Sequence, residues 1–284
     1  MKKIYLFTLA VLALAACTKD NQQQGGIETY DSVPMEFKFS PYQMEPMKTQ
    51  SSISTVCSRL DVYIIEQGTT DTMRFHQDRA INGNDFGGFT ATLQTNKSYH
   101  LYAMAHNTTD TITFRGGIMS FAEDKIKQCL YMDTVFSPGD GLSLNVVMKR
   151  IVGMFKMRVT DAIPSDVTGF RFTVDAAGCK WNTATHESTD SGIRIHTING
   201  TTTDNNGVAT YNVYVMGDDM TTVKYVDITA EAMNATGDGE VRHFDGVPIR
   251  DGYLTTYTGT FFVTFGMGFT FLVGDWNEQG SYTF

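Results

Sequence analysis

Apolar and polar residues alternate one by one through most of this 284-residue chain. Met35, Phe37 and Phe39 share one side of an extended segment, with Glu36 and Lys38 on the other. The pattern recurs in Tyr99, Leu101, Ala103 and Ala105, and in Leu142, Leu144, Val146 and Met148. It returns in Phe155, Met157 and Val159, in Phe170, Phe172 and Val174, in Tyr211, Val213 and Val215, and in Val226, Ile228 and Ala230. Side chains alternate between faces only in a strand, so each run has one apolar face to bury. Such strands belong to antiparallel sheets packed face to face. Asn82-Gly83-Asn84, Pro138-Gly139-Asp140-Gly141, Asp204-Asn205-Asn206-Gly207 and Asp218-Asp219 supply turns between them. Helical spacing is confined to one place, where Ser120 and Glu123 form a capping box ahead of a short helix ending near Cys129. Many short strands at this spacing make β-sandwiches. A break near Lys149-Arg150 divides them into two tandem sandwiches, 31–149 and 150–284, in an all-β fold.

The first residues obey a different rule. Lys2 and Lys3 precede an apolar run from Ile4 to Ala16, shorter than the roughly 20 residues that span a bilayer. This is the form of an export signal over 1–16. It ends as Leu14-Ala15-Ala16-Cys17, which resembles the lipobox of bacterial lipoproteins. That resemblance implies a diacylglycerol on the Cys17 thiol, cleavage before Cys17 and acylation of the new amine. At about 0.8 kcal/mol per buried CH₂, two or three acyl chains hold a protein to a membrane almost permanently. The alternative is a cut nearby with Cys17 incidental. Thr18 to Gly26 has no large apolar residue, so 17–30 reads as a solvated tether. Lys19-Asp20 partly resembles the charged signal that sends some lipoproteins to the outer leaflet of the outer membrane. Display at the cell surface is therefore expected over a periplasm-facing position.

Without Lys2 and Lys3 the chain keeps 20 basic against 31 acidic residues, a net of −11 before histidine. An acidic surface repels phosphate backbones, so nucleic acid is not an expected partner. Beyond Cys17 the cysteines are Cys57, Cys129 and Cys179. Three cannot all pair within one chain, and they read as small buried side chains. Among His76, His100, His106, His186, His196 and His243 no pair has helical metal-binding spacing, and no Cys-x-x-Cys is present. His100 and His106 fall on the polar side of a strand and read as solvated. No nucleophile elbow or phosphate loop occurs. The run 204–207 lacks the twelfth-position glutamate of a calcium loop and reads as a hairpin turn. No metal, cofactor or catalytic residue is expected, and the chain is not read as an enzyme.

Three stretches carry a family resemblance: LNVVMKRIVGMFKMRV, FDGVPIRDGYLTTYTGTFF and the closing VGDWNEQG. With the lipobox and two sandwiches they resemble the fimbrillin superfamily of type V pilus proteins, and in layout its lipoprotein anchor branch. The resemblance implies transthyretin-like β-sandwich domains, export as a lipoprotein, and assembly by strand exchange. In stalk subunits of that family an arginine-directed protease removes the lipidated first strand. The C-terminal strand of a neighbour then fills the groove, a case of β-augmentation. This chain has no arginine between Cys17 and Ser58; the first is Arg59, inside the strand-like run Arg59 to Ile65. An uncut subunit keeps its lipid and its first strand, so it can end and moor a polymer but not extend it. Lys48 leaves a lysine-directed cut open.

The resemblance thus implies a structural lipoprotein that anchors a fimbrium to the outer membrane. Its partners would be a fimbrial stalk subunit through strand exchange and the membrane through acyl chains, with a host or bacterial surface ligand as a further partner. Phe269, Phe271 and Val273 in the tail are candidate donor-strand residues; the same residues also suit an ordinary last strand of the second sandwich. Two other readings are a minor or tip adhesin of the same fold and a glycan-capturing surface lipoprotein. The second wants exposed aromatic platforms, for which Trp181 and Trp276 are the only tryptophans. Asp71-Thr72-Met73, Asp110-Thr111-Ile112 and Asp133-Thr134-Val135 resemble bacterial O-glycosylation acceptors.

Overall fold

The alternating segments are strands in the computed structural model, which describes residues 31–42, 52–109, 111–121, 127–138, 143–219, 221–235, 237, 239–262 and the backbone of 270–275. In chain order they are β1 (Ser32–Pro41), β2 (Arg59–Glu66), β3 (Thr72–Asp78), β4 (Gly88–Gln94), β5 (Tyr99–His106), β6 (Thr113–Arg115), β7 (Ile118–Ser120), β8 (Cys129–Phe136) and β9 (Ser143–Arg150). Then follow β10 (Gly153–Val159), β11 (Val167–Ala177), β12 (Lys180–Asn182), β13 (Glu187–Thr189), β14 (Gly192–Asn199) and β15 (Ala209–Val215). β16 (Lys224–Asn234), β17 (Val241–Ile249), β18 (Tyr253–Gly259) and β19 (Thr270–Asp275) complete the series.

The first half forms a seven-stranded sheet in the order β3-β2-β5-β8-β9-β1-β4. It folds over at β8 and β9, which share only Leu130↔Arg150 and Tyr131↔Lys149. One leaf, β4-β1-β9, therefore lies across the other, β3-β2-β5-β8. Rings meet between them: Phe37 lies edge-on to Phe136 at 5.5 Å, and Phe89 stacks on Phe75 at 4.2 Å. The second half uses two four-stranded sheets, β15-β10-β18-β19 and β14-β11-β16-β17. Their shared core holds Phe155, Phe170, Phe172, Tyr211, Ile228 and Phe261, all buried. Every alternating run named from the sequence within the described residues turns its apolar face inward.

The two halves repeat one plan. β1 pairs antiparallel with β4 and parallel with β9; β10 pairs antiparallel with β15 and parallel with β18. The facing leaves, β3-β2-β5-β8 and β14-β11-β16-β17, match strand for strand in order. Two pairings are thus parallel, where the sequence argued for antiparallel sheets throughout. A strand that opens each half is laid beside the strand that closes it, and that return runs in the same direction. Among the described residues β19 has no counterpart in the first half.

A further sheet, β13-β12-β7-β6, joins the halves. Trp181 on β12 pairs with Met119 on β7 and is fully buried, with Tyr131 at 5.5 Å. Ile151 and Val152, in the link between β9 and β10, are buried in the same cluster. The link is therefore packed, not solvated. The β6–β7 hairpin closes through Gly116 and Gly117, both at positive φ (56° and 77°), the two-residue turn that matches strand twist. Ser120 belongs to β7 and Cys129 to β8, so the helix read between them does not include its ends; 122–126 lie outside the described residues. Ser120 pairs with Thr113 and Lys180 rather than capping a helix. The described helix is instead the single turn Arg79–Asn82, capped by the Asp78 carboxylate. The 204–207 run is a tight turn whose Asp204 carboxylate accepts the Asn206 and Val208 amides. It reverses the chain as the sequence reading has it, closed by the antiparallel Thr203↔Ala209 bridge, on the way from β14 to β15, which lie in different sheets.

Asp251, next to the turn into β18, is almost wholly buried; one carboxyl oxygen accepts the Gly217 amide at 3.1 Å and the other has no partner among the described residues. Burial first, then nearby Asp219 and Asp218, holds its pKa well above the carboxylate range, against the pull of Lys224. A raised folded-state pKa stabilises below the unfolded value and loses that stabilisation as pH rises through the folded value. Asp251→Asn, which keeps the acceptor and removes the charge, should therefore raise the melting temperature more at pH 8 than at pH 4. Scanning fluorimetry at the two pH values checks this; an equal shift, or a loss at pH 8, contradicts it.

Candidate functional site: the seat of the first strand and the edge of the last

Strand exchange requires a strand that can leave and an edge that can receive. β1 is held along both sides: Ser32 to Lys38 register with Gln94 to Gly88 of β4, and Glu36 to Pro41 with Ser143 to Met148 of β9. Met35, Phe37 and Phe39 point into the core, and Phe37 is fully buried. Phe37 and Phe39 stack on Phe89 at 5.0 and 5.8 Å. Burying three such side chains contributes about 1.5–3 kcal/mol each. Taking β1 away would leave two unpaired edges and an apolar slot. Backbone bonds continue past its end, where the Tyr42 amide donates to the Met148 carbonyl at 2.7 Å.

Arg59 opens β2, a strand paired on both sides with Asp78 of β3 and His106 of β5 at that register. Its guanidinium bonds the Asp78 carboxylate at 3.0 Å. A protease, which needs an extended free segment, has no access to it. Cys17, Lys48 and Phe269 lie outside the described residues. Phe271 and Val273 lie on β19, at register positions opposite Tyr257 and Thr255. β19 is the outermost strand of its sheet among the described residues. No helix among the described residues is long and apolar enough to cross a membrane.

The structure also holds polar clusters that sequence reading missed. The Asp61 carboxylate, buried in β2, meets His76 Nδ1 at 2.9 Å and His106 Nε2 at 2.8 Å. His106 Nδ1 in turn meets the Thr108 hydroxyl at 2.6 Å. His106 is wholly buried, where the sequence placed it on a solvated face. Phe121, edge-on to the imidazole at 5.6 Å, helps cover that end of β5. The order carboxylate–imidazole–hydroxyl is that of a nucleophilic triad. Here both imidazole and hydroxyl are sealed from solvent, and the cluster bolts β2, β3 and β5 together. The signal was Asp61 itself, a charge set between Leu60 and Val62. Asp133 on β8 takes His100 Nε2 at 3.1 Å and His186 Nε2 at 3.0 Å, tying the β12–β13 turn to the first half. Trp181 offers no platform, since it lies in the joint core; Trp276 is outside the described residues.

Cys57, Cys129 and Cys179 are buried, as read from the sequence, and form no disulfide among the described residues. Burial pushes the Cys57 thiol to about 12 and the Cys129 thiol well above its usual value. Neither is a ready nucleophile.

The sequence matches no protein-family model and no curated protein. Solved structures do match. A candidate adhesin from Bacteroides thetaiotaomicron aligns over 88% of this chain and 98% of its own, with a TM-score of 0.52 at 9% identity. A candidate cell adhesion protein from Bacteroides ovatus aligns over 88% and 99%, with a TM-score of 0.52 at 10% identity. The fimbrial anchor protein Mfa2 from Porphyromonas gingivalis aligns over 86% and 97%, with a TM-score of 0.45 at 11% identity.

If β1 is a seated but separable strand, a chain cut after Tyr42 should lose its cooperative unfolding transition, and a synthetic 31–42 peptide should restore it. Circular dichroism with and without peptide reads this out. A truncated chain that melts like the intact one would contradict the seat described above. The chain has the all-β sandwich fold of the two Bacteroides structures, the fold that its resemblance to the fimbrillin superfamily implies.

Proposed function

We propose that this protein is a structural surface lipoprotein that moors a fimbrium to the outer membrane and ends its assembly by donor-strand exchange. The observation that carries the reading is the seated β1. Its apolar stripe is buried between β4 and β9, and no arginine precedes Arg59 after Cys17. A subunit of this kind keeps its first strand, so its own groove is filled and cannot receive another chain. The lipid on Cys17, carried on the 17–30 tether, stays attached.

The tail is the part offered to the neighbour. Among the described residues β19 is an addition to the plan that the two halves share, and it sits at a sheet edge, paired on one side with β18. Losing it would leave the strand order that matches the first half intact. Phe269, Phe271 and Val273 supply the alternate side chains that a receiving groove reads. The partner is a fimbrial stalk subunit.

Two variants in a fimbriated strain test the proposal. Cys17→Ala should release fimbriae into the medium, seen by electron microscopy and immunoblot of the supernatant. Deletion of 263–284 should leave a lipidated protein in the outer membrane that no longer retains fimbriae. Fimbriae that stay on the cell in either strain would contradict the corresponding half of the mechanism.

A further inference from the structure

The outer face of the first half carries a row of side chains that strand exchange does not use. Arg74 on β3 registers with Tyr63 on β2, Tyr63 with Tyr102 on β5, and Tyr102 with Asp133 on β8. Four adjacent strands at about 4.8 Å each make a row roughly 14 Å long. Phe114, from β6, leans against both tyrosines, with ring centroids 5.0 Å from Tyr63 and 5.1 Å from Tyr102. Arg74, Tyr63, Tyr102 and Phe114, with Thr70 and Thr72 on the rim, line an open cleft of about 300 Å³.

The rings are fixed in place. The Tyr63 hydroxyl donates to the Ile112 carbonyl at 2.9 Å, which locks the ring at the floor. The Tyr102 hydroxyl bonds His100 Nδ1 at 2.9 Å, its ring stacks on the imidazole at 4.0 Å, and His100 is held in turn by Asp133. Both hydroxyls are committed to the protein, so the cleft presents ring surface. The acid at the far end of the row is occupied by His100 and His186. Arg74 is different. Its guanidinium lies 6.0 Å from the Tyr63 ring centroid, exposed, and makes no ion pair or hydrogen bond among the described residues. On a chain of net charge −9 this is an uncompensated cation beside an aromatic floor.

We propose that this cleft binds an acidic carbohydrate, with the sugar rings against Phe114 and Tyr102 and a sugar carboxylate on Arg74. A pyranose has an apolar C–H face for an aromatic ring and hydroxyls for the Thr70 and Thr72 rim. A guanidinium fork matches a carboxylate with two parallel hydrogen bonds. An extended peptide fits less well: it could add only to the outer edge of β3, because β2 and β5, which carry the two tyrosines, are paired on both sides and offer no backbone over the rings. The site is independent of mooring: it lies on a different face from the β1 seat and needs neither Cys17 nor the tail.

The test is calorimetric titration of the full-length protein in detergent micelles. The acidic probes are trigalacturonate, a hyaluronan tetrasaccharide and 3′-sialyllactose; the neutral controls are cellotriose and lactose. At least one acidic probe should bind, more weakly as salt rises, and the neutral sugars should not match it. Arg74→Gln should weaken that binding about tenfold or more with an unchanged melting temperature, since the side chain is exposed and unpaired. Phe114→Ala should weaken it as well. No binding by any acidic probe, equal binding of a neutral control, or full affinity in Arg74→Gln overturns the proposal.

Discussion

The burial of Met35, Phe37 and Phe39 between the edges of β4 and β9 is the contact on which the first half rests. A sheet leaf with β1 missing would break into two unconnected strands, β4 on one side and β9 on the other. Phe89, which stacks on both Phe37 and Phe39, would lose its cover, and with it the ring contact to Phe75 across the sandwich. One strand near the N-terminus therefore completes the core, closes the leaf and fills the groove. In sequence the same strand lies downstream of Cys17. Packing and attachment are thereby coupled: while β1 is home, whatever is bonded to Cys17 is bonded to the folded domain.

The second half repeats this plan, with β10 between β15 and β18. The repetition sets what is ordinary and what is extra in the molecule. The short sheet built from β6, β7, β12 and β13 interrupts both halves at their facing leaves and locks them through Trp181 and Met119. β19 lies beyond the shared plan. A chain can add a terminal strand to an existing edge without disturbing a core.

Much of this architecture was legible in the sequence, because period two is the strongest pattern a strand can write. Phe155, Met157 and Val159, or Phe170, Phe172 and Val174, have one reading as a half-buried strand, and that is where they lie. What alternation does not carry is partnership. Nothing in Met35-to-Phe39 says that β1 runs parallel to β9, since direction is set by the return path of the chain. The joint was hidden for a related reason: β7 and β12 have three residues each, too few for a period to register. Trp181 therefore carries no sequence signal of its place in the joint core. His106 was misplaced because alternation assumes one open face, and at the end of β5 both faces are covered. The cleft residues Arg74, Tyr63 and Tyr102 lie far apart in sequence and meet only through strand register. The ends of the mechanism, Cys17 and the tail, were read from motif and resemblance, and they remain proposals.

The most direct measurement is mass spectrometry of this protein's own N-terminus, taken from fimbriae still attached to cells. The proposed mooring predicts a mature chain that begins at Cys17, acylated on thiol and amine. A lipid-free N-terminus beyond residue 42 in the assembled fibre would mean that the first strand had been removed, and that this chain extends a fimbrium instead of mooring one.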